Sequence, residues 1–153
     1  MNNIKITIAT KKDKEQLLIW FKHYKINQFI EKRVDCFLEH NSTIVAKDRN
    51  KIIGVLQWYV KENPNEGVAE IEEVFVSEKY RGQGIASLLI TFAIKTIWEY
   101  FIKFNFKPRK VFVFVGKENI PAIKVYEKYG FKFVCSVGNL FHDEEELFYT
   151  LNL

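Results

Sequence analysis

The segment Tyr80-Arg81-Gly82-Gln83-Gly84-Ile85-Ala86 constrains this chain more than any other, because it joins two patterns of different period. Before it, Ile71-Glu72-Glu73-Val74-Phe75-Val76 reads as a strand. After it, Ile85, Leu88, Leu89, Phe92, Ala93, Ile97, Tyr100 and Phe101 recur at the spacing of a long helix. A glycine turn feeding a helix N-terminus presents backbone N–H groups with no carbonyl a turn earlier, at the positive end of the helix dipole. That combination is a socket for phosphate. Gly82 and Gly84 allow a ligand close to the main chain, and Ala86 keeps the first helical turn slim. The dinucleotide fingerprint does not fit, because Gly82-Gln83-Gly84 lacks a third small residue at the required spacing and no acidic ribose partner follows a second strand. The P-loop does not fit either, since no Lys-Ser or Lys-Thr pair closes the turn.

At 153 residues, with 48% hydrophobic and 16% aromatic side chains, the chain has the material for a real core in one domain, expected to span residues 1–153. A net charge of +4 would attract a polyanionic ligand but is too diffuse for nucleic acid. The basic clusters are small (Lys11-Lys12, Lys107-Pro108-Arg109-Lys110) and the aromatics sit at core periods, so no nucleic-acid partner is expected. Cys36 and Cys135 read as reduced thiols, and no apolar run is expected to reach membrane-spanning length. The expectation is a soluble cytoplasmic protein with no membrane partner. His23, His40 and His142 share no ligand spacing, so no metal site is expected.

Alternation of Ile4, Ile6 and Ile8 predicts a first strand, and Thr10-Lys11-Lys12-Asp13 a helix start followed by the apolar face Leu17, Leu18, Phe21. A second helix is expected over about Asn27 to Glu39. Thr43 to Lys47 and Ile52 to Val60 should form an antiparallel hairpin, with the next strand from about Ala69 to Val76. Pro108 ends any continuation of the long helix past Phe101. Val111 to Val115, apolar on both faces, reads as a central strand. A short helix follows, with Ala122, Val125, Tyr126 and Tyr129 on one face and Gly130 as its stop. Phe131, Phe133 and Cys135 alternate in one more strand, and Glu146 to Leu151 forms the last. The class is mixed α+β.

Two motifs carry a resemblance to a known family. The first is Arg81-Gly82-Gln83-Gly84-Ile85-Ala86 preceded by Val74-Phe75-Val76; the second is Asn119-Ile120-Pro121-Ala122-Ile123-Lys124-Val125-Tyr126-Glu127-Lys128-Tyr129-Gly130-Phe131. With both in this order, the chain resembles the GNAT superfamily of acetyl-CoA-dependent N-acetyltransferases over nearly its whole length. The resemblance implies a mostly antiparallel central sheet flanked by helices and splayed between strands 4 and 5. It also implies acetyl-CoA as co-substrate. Val74, Phe75 and Val76 would line the pantetheine arm, and Arg81, Gly82, Gln83, Gly84, Ile85, Ala86 and Ser87 would hold the pyrophosphate. Core packing is the plain reading of Val74 to Val76, and the two are compatible, since side chains can face core while main chain faces ligand.

Acetyl transfer to an amine needs a neutral nucleophile, yet an alkylamine with a pKa near 10.4 is neutral in only about four molecules in ten thousand at pH 7. A base is wanted. Resemblance makes Tyr126 the acid for the departing sulfur, against plain packing on its helix. It makes Asn119, seven residues earlier and so on the same face, a cofactor contact, against a helix cap. One subgroup's glutamate five residues before the asparagine is replaced by Phe114. Of Glu70, Glu72 and Glu73, Glu72 is favoured as base, directly or through water, while for any one of them a solvated or charge-paired carboxylate is the plain reading. The acceptor pocket is expected near Lys22-His23-Tyr24-Lys25-Ile26 and Asn139-Leu140-Phe141-His142-Asp143-Glu144-Glu145-Glu146, whose acidic run would suit a cationic amine, though such runs are commonly solvated turns. Exposed edge strands raise the expectation of a homodimer. The competing function is a non-catalytic acyl-CoA-binding module.

Overall fold

Thr10 shows how local chemistry sets the first turn of the fold. Its backbone is extended, and its amide and hydroxyl both donate to the Asp13 carboxylate, at 2.9 and 3.3 Å. This satisfies groups that a helix start leaves open. Asp13 also accepts from Lys47 Nζ at 2.5 Å, fixing the helix start to a strand 34 residues away.

The computed structural model describes residues 4–23, 29–40, 42–138 and 144–153, with His23 described by its backbone alone. Strands β1 (Ile4–Ile8), β2 (Thr43–Asp48), β3 (Lys51–Val60), β4 (Val68–Val76), β5 (Lys110–Gly116), β6 (Lys132–Val137) and β7 (Glu146–Asn152) follow the order β1-β2-β3-β4-β5-β7-β6. Helices α1 (Lys14–His23), α2 (Ile30–Glu39), α3 (Ile85–Lys103) and α4 (Ile120–Lys128) complete the mixed α+β architecture. The chain divides into two compact units: Met1–Trp58 with Glu73–Ala93, and Tyr59–Glu72 with Ile94–Leu153.

In the first unit β1 and β2 pair antiparallel from Ile4↔Asp48 to Ile8↔Ile44. The β2–β3 hairpin carries a bulge between Ala46 and Lys47. Leu17, Trp20 and Phe21 of α1 and Ile30, Val34 and Leu38 of α2 share a core with Val45, Ile52 and Val55.

In the second unit β5 pairs with β7 along its full length, from Lys110↔Asn152 to Gly116↔Glu146. The parallel β4–β5 ladder runs from Val68↔Lys110 to Glu70↔Phe112, while β5 continues to Gly116. A parallel register that stops this early is the ladder geometry expected of a splay between strands 4 and 5.

Several expectations need correction. Among the described residues α2 begins at Ile30, after Phe29 in the left-handed region (φ 56°); Asn27 and Gln28 lie outside the described residues. The long helix stops at Lys103, two residues past the end of its apolar stripe and before Pro108 is reached. Asn105 (φ 58°) turns left-handed, Phe106 N–H donates to Phe101 O and Asn105 N–H to Ile102 O, so a Schellman motif ends it. Over an 18-residue window α3 has a mean hydropathy of 1.5, so by length and composition it could cross a membrane, contrary to the expectation of no such run. Its stripe Ile85, Leu89, Ile90, Ala93, Ile97 and Phe101 is buried within the protein. On β5 only Val111, Val113 and Val115 are fully buried, and Phe112 and Phe114 are half-buried. On α4 Ile123 and Tyr126 make the buried face, with Ala122 only half-buried. β6 is exposed along nearly its whole length, so Phe133 and Cys135 do not form the buried face their alternation implies.

Burial alone would raise the Asp13 carboxyl, but the bonds from Lys47 and Thr10 outweigh it and hold it below its ordinary value. The stabilisation is therefore complete above the unfolded value, near 3.8, and is lost as pH falls through the lowered folded value. Asp13→Asn is expected to flatten the acid limb of stability below about pH 5 in urea unfolding. Identical acid limbs in the two proteins would show that this carboxylate contributes nothing.

Candidate functional site

Val74, Phe75 and Val76, each half-buried, end β4 in the first unit. Close approach there depends on Gly54 of β3: a Cβ on it would meet Phe75 O and Leu89 Cδ1 at 3.2 Å each. Gly54 is a residue whose signal in the sequence is a lone glycine inside a strand pattern, which marks such an approach.

After β4 the chain is tied down at several points before the glycine turn. Ser77 N–H donates to Ile53 O at 2.9 Å, and a 3-10 turn over Glu78–Tyr80 follows. The Tyr80 hydroxyl donates to Asp48 Oδ2 at 2.9 Å, and that carboxylate raises the phenol's pKa. Arg81 Nε donates to Val76 O at 3.1 Å and Gln83 Nε2 to Lys79 O at 3.1 Å. The Tyr80–Asp48 link, also missed in the sequence, joins the turn to the β2–β3 hairpin across 32 residues.

Gly82 and Gly84 have φ of 73° and 80°, in the left-handed region that glycine tolerates. A Cβ at either would meet nothing within 4 Å. The turn is exposed from Arg81 to Gly84, and Ile85 is buried at once beneath it. Leu88 N–H donates to Gly84 O at 3.1 Å, the first bond of α3. The turn before Leu88 is therefore the helix's positive end, with open space in front of two residues that lack side chains. Arg81, Gly82, Gln83, Gly84, Ile85, Ala86 and Ser87 are thus brought together in one short cradle.

Glu72, Asn119 and Tyr126 lie in the second unit. Asn119 caps α4, its Oδ1 accepting from Ala122 N–H at 3.3 Å. Because Asn119 stands outside the helix (φ −82°, ψ 60°) it is exposed while Tyr126 is buried, so the expected shared face is not found. Tyr126 packs edge-on to Phe131, centroids 5.4 Å apart, and burial pushes its phenol above the ordinary value. Gly130 (φ 91°) ends this helical segment as expected.

The three candidate carboxylates stand in different environments. Glu70 is buried, 2.5 Å from Lys61 Nζ; burial raises its pKa, the Lys61 bond opposes this, and the neighbouring Glu72 charge adds to the rise. Glu73, in the first unit, lies 2.5 Å from Arg33. Glu72 is exposed. Of the expected acceptor segments, Tyr24, Lys25, Ile26 and residues 139–143 lie outside the described residues, as does the His23 side chain.

The profile of the acetyltransferase (GNAT) family matches residues 12–131. A spermine/spermidine N(1)-acetyltransferase of Bacillus subtilis is 26% identical over 80 residues, 52% of this chain and 49% of that protein, so the match spans about half the length of that curated relative. An N-acetyltransferase from Staphylococcus aureus superposes with a TM-score of 0.79 at 22% identity, covering 98% of each chain. The yncA protein of Salmonella typhimurium, whose structure holds its cofactor acetyl-CoA, gives 0.79 at 14% identity over 99% of this chain and 95% of the other. At these identities the structural likeness establishes the fold.

Gly84→Ala should cost about 1–2 kcal/mol through backbone strain alone, since its methyl group finds open space. Thermal unfolding checks this, and an unchanged midpoint would mean the turn relaxes out of the left-handed region.

Proposed function

The chain belongs to the acetyltransferase (GNAT) family, and from that premise we propose that it transfers the acetyl group of acetyl-CoA to a primary amine by direct attack in a ternary complex. One observation carries the reading: two left-handed glycines with open space before them, set at the start of α3. In this proposal the turn from Gly82 to Ser87 holds the diphosphate through main-chain amides, and Arg81 and Gln83, braced by Val76 O and Lys79 O, keep the turn in shape. The main chain of Val74, Phe75 and Val76 receives the amide-bearing arm. Asn119 keeps α4 capped and is a further cofactor contact.

When bound, acetyl-CoA supplies a thioester, so that a C–N bond forms as the C–S bond breaks and one proton passes from the amine nitrogen to sulfur. Glu72 takes the proton from the acceptor ammonium, directly or through water. Its exposure to solvent supports this, whereas Glu70 is buried. Tyr126 offers its proton to the sulfur. With its pKa raised by burial, the phenol stays protonated across the working range and acts by hydrogen-bond donation.

Tyr126→Phe should keep acetyl-CoA affinity within about threefold while turnover falls on the order of a hundredfold. Full turnover in this variant would remove Tyr126 from the chemistry. Tight acetyl-CoA binding without CoA release from any amine would instead favour a non-catalytic binding module. Glu72→Gln should lose most activity near neutral pH and recover towards pH 10, where the acceptor is neutral unaided. A loss of equal size at every pH would refute the base role.

A further inference from the structure

The acidic run at the start of β7 separates into different environments. Glu145 is engaged by Lys117 Nζ at 2.6 Å and by the Ser136 hydroxyl. Glu144 lies across Gly116: a Cβ built there would stand 2.8 Å from its Oε1 and 3.1 Å from its Oε2. Glu146 is the ladder partner of Gly116, so its side chain leaves the sheet on the face where the Glu144 carboxylate rests. Glu146 is only 4% exposed, and its Oε2 meets no hydrogen-bond donor among the described residues. An oxygen withdrawn from water without a donor is costly and uncommon in native proteins.

The floor beside this pair is aromatic. Phe114 opposes Phe148 in the same ladder, stacked at 5.0 Å, and Phe112 meets Phe148 at 5.5 Å. By alternation all three share the face of Gly116 and Glu146. Glu70, in register with Phe112, continues that face into β4, and Glu72 follows two residues on. The face thus runs from acids through aromatic rings to acids, all within one unit. In an unsplayed sheet, strand spacing and rise would put Glu72 and Glu146 on the order of 12 Å apart, and the end of the β4–β5 ladder at Glu70 makes that a lower bound.

Resting on the acetyl-transfer reading above, we propose that Glu144 and Glu146 bind a second ammonium group of the acceptor, so that the substrates are di- or polycationic amines. Aromatic faces and carboxylates both attract alkylammonium.

The test compares kcat/KM for 1,8-diaminooctane with that for n-octylamine. The diamine should be preferred by about tenfold or more, and Glu146→Gln should bring the ratio within about threefold of one. Glu144→Gln, at an exposed position, should lower the same ratio and serves if Glu146→Gln fails to fold. A ratio near one in the parent protein, or one that survives both substitutions, overturns the proposal. End-blocked peptides with one or two lysines form a second arm: a Glu146-dependent preference larger for the peptide pair identifies a polypeptide source, and one larger for the free amines identifies a polyamine. If no amine is acetylated, the transferase reading falls, but calorimetry with spermidine still decides the socket. Binding that Glu146→Gln abolishes supports it, and absent or unchanged binding refutes it.

Discussion

Between Arg81 and Ile85 the main chain makes two left-handed residues on either side of Gln83, a path that costs an ordinary L-residue about 1–2 kcal/mol at each position. Everything the site can do follows from that path being held. It sets where α3 begins, which end of the helix dipole faces open space, and how Ile85 turns straight into the interior. The restraints are distributed rather than local. Ser77 reaches β3, Tyr80 reaches the tip of the β2–β3 hairpin, and Gly54 gives Phe75 room to approach. A turn restrained from several sides is organised before any ligand arrives, which lowers the entropy lost on binding.

Much of this was legible in the sequence because its signals are short-range. A capping box, a glycine stop at Gly130 and the 3.6-residue stripe of α3 each depend on residues within a few turns. Long-range facts were not legible. The sequence placed Asn119 in helical phase with Tyr126, but a capping residue stands outside the helix and follows no such phase. The stop at Asn105, whose left-handed backbone ends α3 before Pro108 is reached, carries no glycine to mark it in the sequence. Phe133 and Cys135 alternate like a buried face, yet β6 is an edge strand, and alternation cannot tell which side has a neighbour.

The carboxylates make the same point in chemical terms. Glu70, Glu72 and Glu73 are near-identical as letters, and so are Glu144, Glu145 and Glu146. Tertiary partners separate them. Lys61 and Arg33 engage two of the first group and Lys117 one of the second, while burial isolates an oxygen of Glu146. Which partner each acid meets is decided by strand register, a property of pairs far apart in the chain.

That register is itself indexed at Gly67. One carbonyl, Gly67 O, accepts the amides of both Arg109 and Lys110, at 2.8 and 3.1 Å, just where β5 starts. Gly67 is left-handed (φ 65°), and a side chain there would collide with the Lys107 carbonyl. A bare α-carbon thus acts as the zero mark of β5. Any side chain there would have to displace the Lys107 carbonyl, disturbing the two bonds that anchor the start of the strand bearing Phe112, Phe114 and Gly116.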